Sequence, residues 1–140
     1  MAPVPSIEAV APGSSDFLEA QQALQGYDTA TVGKLQALVT ALEVPAMAFL
    51  CRSEGRPKAA ALMAVADGIV VTGNVVTAST ERRRGFASAL MRSGLAWAIS
   101  VGARVAALNV QADNAAGLAL YDSLGYRHRY DYCYRRPARP

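Results

Sequence analysis

From Ala46 onward three short apolar runs follow one another with only turn residues between them, and this spacing leaves the chain few ways to fold. Glu54-Gly55 and Asp67-Gly68 are the punctuation, and a polar residue followed by glycine suits the tight turn that joins antiparallel strands. The spacing predicts consecutive antiparallel strands over Met47 to Arg52, Lys58 to Ala66 and Ile69 to Thr77. Gly73-Asn74 interrupts the third run, where a bulge is expected.

The flanks follow a different period. Residues Met1 to Pro5 are proline-rich and expected to fray, Ser6 to Val10 suits a short first strand, and Ala11 to Ser15 reads as a turn with Asp16 as a helix cap. Apolar residues then recur at spacings of three and four over Phe17 to Leu24 and Thr31 to Leu42, giving two amphipathic helices separated by Gly26-Tyr27-Asp28 and ended by Pro45. A long helix is predicted over Gly85 to Val101, with Phe86, Leu90, Gly94, Trp97 and Val101 on its buried face. Arg104 to Val110 reads as a strand and Ala115 to Leu124 as a helix capped by Asn114. Gly125 suits a left-handed C-terminal cap that folds Tyr126 back on Leu120 or Tyr121. Tyr126 to Arg136 reads as a tyrosine-rich hairpin or bent strand, and Pro137 to Pro140 as a loose tail.

Alternating strands and helices over 140 residues imply one α/β (α+β) domain, since a second would have no room. An apolar share of 52% with 18% charged residues argues for a packed core and against disorder. The longest apolar runs, such as Ala59 to Ala66, fall short of the about 20 residues that a membrane helix needs. With no secretory leader in view, the cytoplasm is the expected address. Cys51 and Cys133 lack metal-ligand spacing and sit in apolar stretches, as small hydrophobes or, in an oxidising compartment, as a disulfide. No metal is expected.

The net charge is +3, and arginine carries almost all the positive side, Lys34 and Lys58 being the sole lysines. Guanidinium holds phosphate by paired hydrogen bonds, which suggests an anionic ligand, although genome composition also favours arginine. Arg82, Arg83 and Arg84 stand just before Gly85 and the long helix, whose dipole already places positive charge there. An anion between them would relieve that repulsion and accept from the free N–H groups of the first turn. Gly85 and Ala87 would let a phosphate approach the backbone. The alternative is a solvated basic corner.

Arg82-x-x-Gly85-x-Ala87, between a strand and an amphipathic helix, resembles the acetyl-CoA motif of the GNAT superfamily of N-acetyltransferases. A second block, Asn114 through Leu120-Tyr121 to Gly125-Tyr126, is similar to that family's later signature, with Gly117 in the place of its usual alanine. The resemblance covers residues 46–136, an acetyl-CoA-binding core, leaving residues 1–45 as an N-terminal strand and helices and 137–140 as a tail. It implies a mixed, mostly antiparallel sheet of about six to seven strands, with a bulged and splayed central strand and about four flanking helices.

The same resemblance implies a site. Backbone N–H groups of Arg82, Arg83, Arg84, Gly85, Phe86, Ala87 and Ser88 would cradle the CoA pyrophosphate, and the edge of Val75, Val76 and Thr77 would pair with the pantetheine arm. The N–H of Val75 would steady the oxyanion formed on the thioester. Ser79 stands where the family commonly has proline. Tyr121 matches the family's tyrosine, which protonates the departing thiolate; its other reading is a helix tyrosine packed over the Gly125 cap. Asn114 would serve both as helix cap and as a donor to the cofactor.

No carboxylate lies between Ile69 and Thr77 to act as general base, so Asn74 could at most hold a water that relays the proton. His128, the lone histidine, has a suitable ordinary pKa but also suits packing, and Glu81 lies too close to the pyrophosphate. Tyr126, Tyr130, Tyr132 and Tyr134 share one strand parity and would either hold a cationic amine or simply pack.

Taken together these features imply direct transfer of acetyl from acetyl-CoA to a primary amine of a small molecule or peptide, without an acetylated enzyme. A non-catalytic CoA-binding regulatory module is the alternative. Nucleic-acid binding through the arginines is weaker, since no recognised motif accompanies them. An exposed final strand could pair across a two-fold axis to give a homodimer.

Overall fold

The computed structural model describes residues 6–78, 85–110 and 114–127. Strand β1 (Ser6–Val10) is followed by helices α1 (Ser15–Gln25) and α2 (Thr29–Thr40), then β2 (Ala46–Ser53), β3 (Arg56–Ala66) and β4 (Ile69–Thr77). Helix α3 (Phe86–Ser100), strand β5 (Val105–Leu108) and helix α4 (Ala115–Ser123) complete the described chain. The strands form one sheet in the order β1-β2-β3-β4-β5. Its first three junctions are antiparallel, and β4 and β5, joined by the α3 crossover, run parallel.

The two tight turns explain why β2, β3 and β4 are neighbours. Glu54 and Gly55 have φ of 56° and 75°, and Asp67 and Gly68 have 53° and 77°. Two successive left-handed residues make the turn whose twist matches antiparallel strands, and each glycine adopts it without a Cβ penalty. The five strands are fewer than the six to seven expected. The remainder of that expectation rested on residues 126–136, of which those from 128 onward lie outside the described residues.

Several element ends differ from expectation. Ser14, not Asp16, caps α1: its extended backbone precedes the first turn and its hydroxyl accepts the Phe17 N–H at 3.3 Å. Asp16 sits within the first turn, 3.8 Å from Arg52, which also pairs with Glu8 at 2.9 Å and so ties β1, β2 and α1 together. Helix α2 begins at Thr29 because the Asp28 carboxylate accepts the Thr31 N–H at 2.7 Å; the Thr31 hydroxyl first, and this N–H second, hold the carboxyl below its ordinary pKa. The buried face of α3 runs through Phe86, Leu90, Met91, Gly94 and Ala98, whereas Val101 has left the helix and is 41% exposed.

The sheet carries a core on each face. On one side Phe49, Cys51, Ala61, Met63 and Val70 pack under α3, with Tyr121 of α4 joining them. On the other, Ala48, Leu50, Ala60 and Leu62 pack under Phe17 and Leu18 of α1 and Leu35 and Val39 of α2. Helix α3 crosses β3 so closely that a Cβ built on Gly94 would overlap the Met63 thioether and reach 3.4 Å from Phe49. No helix among the described residues is long and apolar enough to cross a membrane. Gly94→Leu is expected to lower the unfolding free energy by about 2 kcal/mol through overpacking, measured by urea denaturation.

Candidate functional site

The third apolar run bulges where its glycine and asparagine predict. Leu62 of β3 faces Gly73 and Ala60 faces Val76, so Asn74 and Val75 together oppose Ala61. Asn74 takes up the extra length in the left-handed region, at φ 52°, which asparagine tolerates better than most residues. The extra residue inverts the strand's parity. Val70 packs toward α3 and Val76 toward α1 and α2, whereas an unbroken strand would turn both to one face.

A side chain that pattern reading overlooked holds this bulge. Gln21 of α1 is fully buried, and its Nε2 donates to the Asn74 carbonyl at 2.8 Å, while its Oε1 accepts from Gln25 at 3.4 Å. A faint signal was present, since position 21 shares the apolar face of Phe17, Leu18 and Leu24. A glutamine among core positions needs a buried partner.

Beyond the bulge one edge of β4 is left open. Its pairing with β5 runs from Ile69 to Thr72 and stops, so among the described residues no strand pairs with Val75–Thr77 on that side. On the other side the Ala78 N–H donates to the Lys58 carbonyl at 2.8 Å. Alternation along the strand then turns the N–H of Val76 toward β3 and those of Val75 and Thr77 toward the open edge.

Helix α3 begins a few residues further along the chain. Gly85 stands at its N-cap with φ 80°, and no side chain caps the first turn. The first helical bond runs from the Ala89 N–H to the Gly85 carbonyl at 3.0 Å, so the N–H groups of Phe86, Ala87 and Ser88 precede the intrahelical ladder. Phe86 itself is buried and anchors this end in the α3-side core. Arg82, Arg83 and Arg84 lie outside the described residues, as do Ser79, Glu81, His128, Tyr130, Tyr132, Tyr134 and Cys133.

Helix α4 supplies the remaining candidates. The Asn114 Oδ1 accepts the Gly117 N–H at 2.9 Å, making Asn114 the cap that its sequence position predicts. A Cβ at Gly117 would come within 2.6 Å of the Asn114 Nδ2, so a larger residue there requires the amide to shift. Gly125 turns the chain at φ 93°, and the Tyr126 N–H returns to the Tyr121 carbonyl at 3.0 Å. The two rings meet edge to face, 5.8 Å apart.

Tyr121 packs into the same core that Val75 and Phe86 border or join. Burial, and secondarily the neighbouring Tyr126, pushes its phenol pKa up, so the proton stays in place at neutral pH. Burial raises Tyr126 too, against a smaller opposing effect of the Thr72 hydroxyl. Neither the Tyr126 hydroxyl nor that of Thr72 has a well-formed partner among the described residues. Cys51 is fully buried and its thiol is likewise pushed up, which keeps it from being a nucleophile. Among the described residues no group of three or more His, Cys, Asp or Glu side chains could hold a metal.

Two expectations follow from this geometry. Asn74→Val should cost about 1 kcal/mol of stability in urea unfolding because a β-branched residue resists the left-handed region, and Asn74→Gly should not. As pH rises past the ordinary phenol value of 10.0, the unfolded chain releases the Tyr121 and Tyr126 protons before the folded one does. Stability should therefore fall above that pH, and the fall should be smaller in Tyr121→Phe.

Residues 16–126 match the model of the acetyltransferase (GNAT) family. No curated protein matches the sequence. Among solved structures, the aminoglycoside N-acetyltransferase AAC(6')-Iy in complex with CoA is similar with TM-score 0.77 at 15% identity, over 98% of this chain and 97% of that one. The aminoglycoside antibiotic 6'-N-acetyltransferase AAC(6')-IG of Acinetobacter haemolyticus gives 0.74 at 18%, over 96% and 99%. A transcriptional regulator from Bacillus halodurans gives 0.76 at 12%, over 95% and 99%. At these identities the likeness is one of fold.

Proposed function

We propose that this chain, which belongs to the acetyltransferase (GNAT) family, moves the acetyl group of acetyl-CoA onto a primary amine of a small molecule or peptide. One observation carries the reading: among the described residues the Val75–Thr77 edge of β4 is open and is followed along the chain by the uncapped first turn of α3. Main-chain donors on both segments suit a ligand with an amide-bearing arm and a diphosphate.

In this reading the N–H groups of Phe86, Ala87 and Ser88, with Gly85 and Arg82, Arg83 and Arg84 beside them, hold the pyrophosphate, and Asn114 donates to the cofactor. The pantetheine arm adds to the strand edge of Val75, Val76 and Thr77, and the thioester oxygen accepts from the Val75 N–H. The amine nitrogen attacks the thioester carbon, and negative charge collects on that oxygen beside a fixed donor. As the carbon–sulfur bond breaks, the thiolate takes the Tyr121 phenol proton, which the raised pKa keeps available. The amine's surplus proton leaves to a water held by Asn74. The inert Cys51 thiol supports direct transfer without a covalent acetyl-enzyme.

A second reading has its own support: no carboxylate lies along Ile69–Thr77 to take the amine's proton, as a CoA-binding regulatory module would not need one. The two separate in one experiment. Purified protein, acetyl-CoA and a panel of amines, led by amino sugars because two similarly folded proteins are aminoglycoside acetyltransferases, should release free thiol above the hydrolytic background. Binding of CoA with no acceptor consumed supports the module, and absence of CoA binding overturns both. Tyr121→Phe should lower kcat by about 100-fold while CoA affinity, read by calorimetry, changes little.

A further inference from the structure

We infer that Gln21 is a positioning residue for acyl transfer, acting through the main chain of the bulge; this rests on the acetyl-CoA reading above. Gln21 is the one polar side chain with no exposed surface among the described residues. Burying a primary amide is costly unless its groups are bonded, so its position calls for a partner that repays that cost in structure. Its partner is not a side chain but the carbonyl of Asn74, at 2.8 Å and 53 residues along the chain.

That carbonyl belongs to the residue on which the bulge turns. A left-handed asparagine in mid-strand stands against the extended conformation, in which β3 and β4 would pair without the shift between Ala60 and Leu62. Drawing the Asn74 carbonyl toward α1 rotates the peptide plane that joins Asn74 to Val75. The nitrogen of that plane is the Val75 N–H, the donor aimed at the open edge. Gln21 therefore fixes the direction of the donor from the far side of the peptide bond, and Gln25 steadies Gln21 in turn. Without it, β4 can relax toward regular pairing, which removes the extra residue, inverts the parity beyond it and turns the Val75 N–H away.

The test uses acetyl-CoA carrying carbon-13 at the thioester carbonyl, whose resonance moves when the oxygen accepts a hydrogen bond, so no acceptor need be known. The wild-type protein is expected to shift this resonance on binding. Gln21→Leu, which keeps bulk without a donor, should bind CoA within about twofold of wild type yet lose most of the shift. With any amine that is turned over, kcat should fall by at least about 10-fold with little change in the KM for acetyl-CoA, as for a donor misplaced by a fraction of an ångström. Asn74→Gly in the Gln21→Leu background should restore the shift, because glycine enters the left-handed region unaided. A merely structural glutamine would not be rescued in this way.

Gln21→Met gives a second variant of similar size without a donor should the leucine form not accumulate folded, and it is expected to lose the shift as well. A shift as large as that of wild type in a folded, CoA-binding variant overturns the positioning role while leaving the acetyl-CoA reading intact. Failure of the glycine rescue also overturns it. If wild-type protein takes up no CoA, the underlying reading falls and this inference with it.

Discussion

The structure depends on a run of main-chain groups in β4 that have no strand partner among the described residues. A buried N–H or C=O without a partner is costly, and most sheets meet that demand by pairing each interior strand on both sides. Among the described residues β4 is paired on both sides as far as Thr72 and on one side beyond it. The bulge at Asn74 and Val75 lies at the start of the free portion, the place where a sheet must part if one strand is to keep its old neighbour and lose its new one. Gln21 spends a buried amide there, and the N–H groups at the start of α3 add a second set of donors not satisfied within the helix. An extended ligand with acceptors along its length would satisfy both sets, so fold and ligand class are answers to the same hydrogen-bonding problem.

Most of this organisation could be read from the amino acids because it is local. The Glu54-Gly55 and Asp67-Gly68 turns, the Gly73-Asn74 interruption, the Asn114 cap and the Gly125 return all depend on near neighbours in the chain, and each appears where its chemistry places it. What escaped was either a matter of one turn of helix or wholly non-local. Asp16 and Ser14 are both good caps; Ser14 takes the role through its hydroxyl, and Asp16 stands two residues further on, 3.8 Å from Arg52 of another strand. Val101 fits the helical period, yet α3 ends before it. The pairing of Gln21 with Asn74 has no local trace beyond a polar residue at an apolar position.

The chemical candidates divide along the same line. Tyr121 and Asn114 belong to a helix whose two ends are tied by their own neighbours, so their placement follows from short-range contacts. Burial then supplies what sequence alone cannot, a phenol held in its protonated form and a cysteine held in its thiol form. The proton acceptor is a different matter, because Ile69–Thr77 carries no carboxylate and nothing periodic in the chain marks another.

The bare backbone of α3 at Gly94, seated on Met63, has a consequence for how such a protein can diversify. A helix pressed this closely onto a strand behaves as a bolted joint: it resists sliding along its axis or rolling about it, so the distance from the joint to the first turn of α3 is set by helical rise alone. Helices α1 and α2 cover the opposite face of the sheet and bear none of that clamp. Mutational drift in them, Gln21 excepted, can reshape that face of the sheet while the α3 side keeps its dimensions, so the two faces are separately evolvable outside the bond from Gln21 to Asn74.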